Sequence, residues 1–337
     1  MRISIIGAGA IGSALGALLA LRGQEVVLIG RASHVDAISR NGLYVDGCRG
    51  EFTVQVKAAE RLDSRPDLVL LTVKTQDVTA AVRDNSACLT DVPLVTLQNG
   101  VRSDELVAEL LPQPQILSAV VLMAATYLTA GRVTLLDEGA LVIGRPFGPR
   151  DAQVDRVASI LNEAVPTRVS TNIRGAHWLK LIANLNNALP ALTNKSASQV
   201  SADPFLRHLA VGLMREGLRV TDRAGVRLES LPGAPVTLLR LFAWLPEGLT
   251  ALLAAGMARR MDTHGSLLGS TLQSLRRGRP TEIEYLNGEV VRLGQRLGVP
   301  TPLNAHVVEL VHQVEQTGKF FSADDIRHEI RETEGST

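Results

Sequence analysis

The 337-residue chain lacks most of the marks of a secreted, metal-binding or nucleic-acid-binding protein. It has two cysteines, Cys48 and Cys88. Two in so long a chain make no disulfide framework, and a reducing cytoplasm is the setting they imply. Its seven histidines form neither H-x-x-x-H nor a Cys/His cluster, which argues against a dedicated metal site. A net charge of +1 gives no general attraction to nucleic acid or to an acidic membrane. The one local basic run, Arg276-Arg277-Gly278-Arg279, reads as a solvated helix end, and no nucleic-acid motif or basic stripe accompanies it. No apolar run approaches the ~20 residues of a spanning helix. The longest late run, 116–128, reads as a buried strand. Aromatics are only 3%, so Leu, Val, Ile and Ala must fill the core.

What the chain does have appears at once. Ile3-Ser-Ile-Ile-Gly7-Ala8-Gly9-Ala10-Ile11-Gly12 is a short apolar run leading into G-x-G-x-x-G. Gly7 suits a tight strand-to-helix turn, Gly9 the approach of a pyrophosphate, and Gly12 close packing of helix on strand. The amides and positive dipole of the helix N-terminus then face the phosphates. A signal or membrane segment is the competing reading of Met1-Arg2 and the apolar residues after it. Four glycines interrupt that stretch, it ends at Arg22, and a second strand, Glu25-Val-Val-Leu-Ile29, comes next. A strand–turn–helix with a strand after it is the context that gives the motif weight.

Strand-like and helix-like segments alternate to about residue 165. Residues 67–73 and 93–97 are continuous apolar runs of the kind buried parallel sheets produce. Helices are expected around 76–86, 102–111 and 151–164. Residues 42–56 read as a hairpin turning at Asp46-Gly47, and 132–143 as two short strands around Asp137-Glu138-Gly139. After about residue 172 the pattern turns helical, over 174–189, 204–224, 247–262, 281–297 and 303–317. Pro190, Pro232, Pro246, Pro280, Pro300 and several glycines punctuate it. A tail from about Arg331 reads as polar and frayed. The fold class is therefore α/β, a parallel-sheet domain followed by an all-α domain, and ligand pockets favour such junctions.

The second strand ends Leu28-Ile29-Gly30-Arg31. An acidic residue there would favour NAD; Arg31 suits the 2′-phosphate of NADP, against the alternative of an ordinary surface arginine. Lys74 and Asn99 follow the third and fourth core strands, where open α/β sheets bind ligands, although Asn99-Gly100 is also a turn signal. In Trp178-Leu-Lys180-Leu-Ile-Ala-Asn184-Leu-Asn186-Asn187, Lys180 and Asn184 are i and i+4 and share a face, with Asn187 close to it. An apolar helix holds a lysine and several amides at a cost unless they are paired or used. The competing reading is a snorkelling lysine. Thr281 is a candidate N-cap, which by itself explains Glu282 at the first helical position.

Together these stretches resemble the ketopantoate reductase family, the 2-dehydropantoate 2-reductases. The likeness runs through G-x-G-x-x-G, Thr72-Val-Lys74, Gln98-Asn99-Gly100, W-x-K-x-x-x-N at 178–184, Gly278-Arg-Pro-Thr-Glu282-Ile-Glu284 with Asn287-Gly288, and Leu297-Gly-Val-Pro-Thr-Pro302. The resemblance implies a Rossmann domain over 1–170 and a helical substrate or dimerisation domain over 171–330. It implies NADPH-dependent reduction of 2-dehydropantoate to (R)-pantoate, on the way to pantothenate and coenzyme A. By carry-over Lys180 would be the general acid. Asn99, Asn184, Asn187 and Ser270 would meet the substrate, Ser270 at its carboxylate. Gly7, Ala8, Gly9, Ala10, Ile11, Gly12, Arg31, Lys74, Asn99 and Glu282 would hold NADP(H), Glu282 through the nicotinamide ribose. No metal is required. The apolar helices of the second half are either core or the surface of a homodimer.

The chain departs from the family pattern near the substrate carboxylate. Many members read S-M-x-x-D where this one has Ser270-Thr271-Leu-Gln-Ser274, and an Asn common three residues earlier is Leu267 here. Polarity is lost there, which leaves the cofactor assignment intact and opens a second reading, a reductase of another, more apolar 2-oxo acid or ketone. A third is an NADP(H)-binding regulator without catalysis.

Overall fold

The computed structural model describes residues 1–246, 249 and 269–335. The chain divides into two compact units, Met1–His177 and Trp178–Thr337. The division falls inside the helix Ile173–Asn184.

The first unit is built on an eight-stranded sheet. Its strands in chain order are β1 (Arg2–Ile6), β2 (Glu25–Ile29), β5 (Lys57–Ala59), β6 (Leu68–Leu71), β7 (Leu94–Thr96), β8 (Ile116–Val121), β11 (Leu141–Gly144) and β12 (Thr167–Val169). Their order across the sheet is β12-β11-β8-β7-β6-β1-β2-β5. Every pairing is parallel except β8 with β11. β1 lies between β2 and β6, so the order reverses there, at the kind of switch point where such sheets bind ligands.

The unbroken apolar strands follow from burial on both faces. Ile3, Ile5, Leu68 and Leu70 pack on one side with Leu15, Leu18 and Leu19 of the helix Ala10–Ala20. Ile6, Val69 and Leu71 pack on the other with Val78 and Val82 of the helix Val78–Asp84. Successive residues of one strand thus serve two cores. Truncating any of these leucines to alanine would cost about 2–5 kcal/mol, through lost burial and a cavity.

A second sheet, ordered β4-β3-β10-β9, contains β3 (Leu43–Gly47), β4 (Phe52–Val54), β9 (Ala125–Thr126) and β10 (Arg132–Leu135). The hairpin expected over 42–56 is the antiparallel β3–β4 pair, but it does not turn at Asp46-Gly47: these end β3, paired with Thr134 and Leu135, and the turn follows at Cys48-Arg49. Three further features differ from the sequence reading. The run 116–128 is not one strand: β8 ends at Val121 and β9 belongs to the other sheet. Ala124 N–H donates to the Asp137 carboxylate at 3.0 Å, and Gly139, at φ +66°, leaves room for Met123, so the chain is steered away after β8. The strands either side of Asp137-Glu138-Gly139 do not pair together, since β10 joins the small sheet and β11 the large one. Residues 57–59, too short and polar to signal a strand, add to the large sheet beside β2.

The second unit is helical. Among the described residues its only extended pairing is an isolated bridge between Leu231 and Ala234. The segment 174–189 is not one helix. Ile173–Asn184 gives way to a 3-10 turn, Leu185–Asn187, and then to the helix Ala188–Thr193. Pro190 lies in the first turn of that last helix, where a missing N–H costs nothing, rather than at a helix end. Likewise 281–297 is a 3-10 turn, Ile283–Tyr285, followed by the helix Asn287–Leu297. The expected helices 204–224 and 303–317 appear as Pro204–Arg223 and Pro302–Thr317. The second begins with proline at its first position, and buried Glu216 accepts the N–H groups of Leu303 and Asn304 at 3.0 and 2.9 Å. Helices Ala197–Ala202, Val236–Trp244 and Ala323–Gly335 were not legible, and the last continues past Arg331 where fraying was expected. The expected helix 247–262 lies, apart from Leu249, outside the described residues, as does Leu267.

Candidate functional site

In the first unit the phosphate-binding turn forms where β1 meets the helix Ala10–Ala20. Gly7 has φ +114°, and a Cβ there would lie 2.5 Å from the Val73 amide nitrogen. A Cβ on Gly12 would collide with the Gly7 carbonyl oxygen and lie 2.5 Å from Thr72 Oγ1. Gly9 faces open space, its nearest neighbour being 4.0 Å away. The first helical-type bond is Ser13 N–H to Gly9 carbonyl at 2.9 Å. The amides of Ala10, Ile11 and Gly12 precede it and have no intrahelical acceptor. Those of Gly7 and Ala8 instead donate to the Ile29 carbonyl, at 2.9 and 2.8 Å, tying the turn to the end of β2. The turn therefore fits a pyrophosphate through its helix amides and the bare Gly9 face, whereas Gly7 and Ala8 shape it.

Three loops at this edge of the sheet are stitched together. Thr72 Oγ1 donates to the Gly7 carbonyl at 2.7 Å. Gln98 Nε2 donates to the carbonyls of Leu71 and Val73 at 2.8 and 3.0 Å. Thr75 Oγ1 donates to the Asn99 carbonyl at 3.2 Å. Lys74 and Asn99, both half-buried, are thus held beside the glycine turn by Thr72, Thr75 and Gln98. Thr72 and Gln98 fall within stretches the sequence analysis quoted, but neither they nor Thr75 were given a role there, because a threonine or glutamine at a strand end has no distinctive spacing. Gly100 has φ +91°, so the turn reading of Asn99-Gly100 also holds.

Arg31 is exposed at the N-cap of the helix Ala32–Asn41, and its guanidinium makes no hydrogen bond or ion pair among the described residues. The helix behind it is pinned by His34. Its Nδ1 accepts from the Gly131 amide at 2.9 Å, so Nε2 carries the proton and donates to Ser13 Oγ at 3.0 Å. Burial lowers the pKa of His34, consistent with this neutral ring.

A second buried network lies deeper in the same unit. Thr96 Oγ1 is 2.5 Å from Asp104 Oδ1 and 3.1 Å from Ser118 Oγ, which is 2.8 Å from His177 Nε2. Burial pushes the Asp104 carboxyl up to about 6, against the lowering effect of its bonds to Thr96 and Ser118.

In the second unit Lys180 and Asn184 lie one turn apart on the helix Ile173–Asn184, both half-buried. Burial lowers the Lys180 ammonium to about 8, and the negative charge of Glu282 opposes that shift. Asn184 ends the helix and Asn187 ends the 3-10 turn after it, so Asn187 does not continue the Lys180–Asn184 face by helical periodicity. Its side chain packs on Gly269: a Cβ built there would lie 3.5 Å from Asn187 Cγ. Gly269 is the N-cap of the helix Ser270–Arg276, which places Asn187 next to the start of that helix. The side chain of Ser270 lies outside what is described. Thr281 Oγ1 accepts from Ile283 N–H at 3.3 Å, but Thr281 is not the N-cap: a 3-10 turn of three residues follows, with Glu282 as its N-cap rather than a first helical residue. Among the described residues no cluster of three or more His, Cys, Asp or Glu could hold a metal, and no helix is long and apolar enough to cross a membrane.

Comparison with known proteins gives a consistent answer. Residues 3–147 match the family model described as Ketopantoate reductase PanE/ApbA, and residues 172–315 its partner, Ketopantoate reductase PanE/ApbA C terminal. A 2-dehydropantoate 2-reductase from Pyrococcus horikoshii is 29% identical over 321 residues, covering 94% of this chain and 99% of its own. The crystal structure of a PanE/ApbA family ketopantoate reductase from Ralstonia eutropha JMP134 is 32% identical. It superposes with a TM-score of 0.78, covering 94% of this chain and 99% of its own. A D-mandelate dehydrogenase in complex with NADH is 25% identical with a TM-score of 0.79, over the same shares of the two chains.

Proposed function

The chain belongs to the ketopantoate reductase family of oxidoreductases, and we propose that it reduces 2-dehydropantoate to (R)-pantoate with NADPH, Lys180 acting as the general acid. The observation that carries this reading is Lys180 itself, a half-buried ammonium held near pKa 8 one helical turn from an amide. A group with that pKa is largely protonated at neutral pH and gives up its proton readily. Binding a dinucleotide requires no such group, which counts against a non-catalytic regulator.

The nicotinamide, when bound, supplies the hydride that reaches the carbonyl carbon. As negative charge builds on the oxygen, the Lys180 ammonium stabilises it and then donates a proton to form the hydroxyl. Asn184 hydrogen-bonds the substrate. Asn187 and Ser270 serve the end that carries the carboxylate. Glu282 meets the nicotinamide ribose and sustains the charge of Lys180. Asn99 and Lys74 act from the sheet edge, and the amides of Ala10, Ile11 and Gly12 bind the pyrophosphate. Arg31, exposed at a helix N-cap with no competing carboxylate bound to it, favours the 2′-phosphate of NADPH over NADH.

One observation favours a second substrate. Leu267 and Ser274 stand where many family members carry Asn and Asp, and the fold is shared with a D-mandelate dehydrogenase. These support a more apolar 2-oxo acid in place of ketopantoate. Initial rates with NADPH across a panel of 2-oxo acids separate the two: the highest kcat/KM with ketopantoate is expected, and a clear preference for an apolar 2-oxo acid overturns the first reading.

A further inference from the structure

Glu282 stands on a turn that is gripped on both sides. Just before it, Thr281 N–H donates to Glu315 Oε1 at 2.7 Å. Just after it, Ile283 N–H reaches back to Thr281 Oγ1 at 3.3 Å, and the Ile283 side chain is fully buried. Two residues on, Glu284 Oε1 lies 2.8 Å from His312 Nε2. The other ring nitrogen, His312 Nδ1, lies 2.8 Å from Glu315 Oε2. One imidazole on the helix Pro302–Thr317 therefore joins the two carboxylates that hold the turn, one acting on residue 281 and the other carried by residue 284. Gly288 makes room for this, since a Cβ there would lie 2.7 Å from Glu284 Oε2.

The chemistry of the ring is set by its partners. An ionised carboxylate only accepts hydrogen bonds, so both ring nitrogens must donate, and only the imidazolium can do that. Partial burial lowers the pKa of His312, but the hydrogen bonds of Glu284 and Glu315 raise it and prevail. A neutral ring would donate to one carboxylate and turn a lone pair on the other. The grip would then be open on one side of Glu282.

We infer that His312 is a positioning residue for Glu282: as a cation between Glu284 and Glu315 it fixes the turn that aims the Glu282 carboxylate at the nicotinamide ribose. The inference rests on the ribose-binding role proposed for Glu282. An ordinary exposed ion pair would contribute little and would leave cofactor binding unchanged. The His312–Glu284 pair is itself exposed, but the same ring also binds Glu315, which holds Thr281 N–H, so the turn is tied to the helix Pro302–Thr317 at residues on either side of Glu282.

The test is steady-state kinetics on the full chain with the nicotinamide cofactor varied, alongside thermal unfolding. His312→Ala is expected to raise the cofactor KM about tenfold, the scale of one lost charge-assisted hydrogen bond, with a smaller change in kcat. His312→Lys, which restores a cation, is expected to recover most of that loss. A lowered Tm with an unchanged cofactor KM, or a lysine variant no better than alanine, overturns the inference. If His312→Ala does not fold, Glu284→Ala decides the matter. It removes the carboxylate that the ring holds on the turn, and an unchanged cofactor KM in that variant is equally fatal. Glu282→Ala separates the inference from its premise. If that variant is kinetically normal, the ribose role falls and the inference with it. If it is defective while His312→Ala is normal, only the inference falls.

Discussion

The carboxylate of Glu282 opposes the burial of Lys180: burial pulls the ammonium down to about 8, and the opposite charge pushes back. Two residues 102 positions apart in sequence thus set one titration. The acid form is the ammonium, so the rate is expected to fall as pH rises through about 8. Glu282→Gln removes the opposing charge and should move that alkaline limb of kcat to lower pH. A limb that stays in place in the variant would show that another group governs it.

Lys180→Ala removes the proton donor and leaves the glycine turn of the other unit untouched. A fall in kcat of ~10²–10⁴-fold is expected, with NADPH affinity by fluorescence titration retained. Loss of cofactor binding in step with activity would point to a structural lysine.

Arg31→Ala should erase most of the preference for NADPH. The measurement is the ratio of kcat/KM values for NADPH and NADH, and loss of one charge-assisted hydrogen bond corresponds to about tenfold in that ratio. An unchanged ratio sinks the NADP assignment.

Gly12→Ala places a methyl group against the Gly7 carbonyl oxygen and Thr72 Oγ1. Both belong to the stitched loop edge, so neither can yield without moving the turn. Cofactor binding is expected to weaken strongly. Gly50→Ala, at φ +84° with nothing near the added Cβ, introduces backbone strain that Gly12→Ala does not, away from the glycine turn, and should leave binding intact.

Asp104 predicts a pH signature in stability. Its carboxyl is raised from an unfolded value near 3.8 to about 6, so the folded state holds the proton more tightly. That contribution is fully present below pH 3.8 and is lost as pH rises through 6. The full span corresponds to about 3 kcal/mol. Chemical denaturation of Asp104→Asn against wild type should show the difference between them changing mainly between about pH 4 and 6. A difference that is flat with pH would mean Asp104 does not titrate in that window.

Several elements were legible because local rules govern them. Unbroken apolar runs announced β1, β2, β6 and β7, since a sheet covered on both faces needs them, and the pattern over 42–56 announced the β3–β4 hairpin, though not the place of its turn. The run at 116–128 misled, because hydrophobicity does not record where a chain leaves one sheet for another. That turn is made by Asp137 and Gly139, which are distant in sequence. The long helix expected at 174–189 breaks at Asn184, where no proline or glycine intervenes.

By itself the sequence determined the glycine turn, the sheet that carries it, the helical second half and the W-x-K-x-x-x-N helix. Each depends on spacing between near neighbours, and spacing is visible in a string of letters. Only the tertiary structure decided that Gly7 and Ala8 commit their amides to Ile29, that Thr72, Thr75 and Gln98 stitch the cofactor edge, and that His312 joins the two carboxylates flanking Glu282. Those contacts join residues from 21 to 65 positions apart, except that Glu315 lies three from His312. The pKa values of Lys180 and Asp104 belong to the same class, because desolvation is a property of the packed surroundings and is carried by no residue alone.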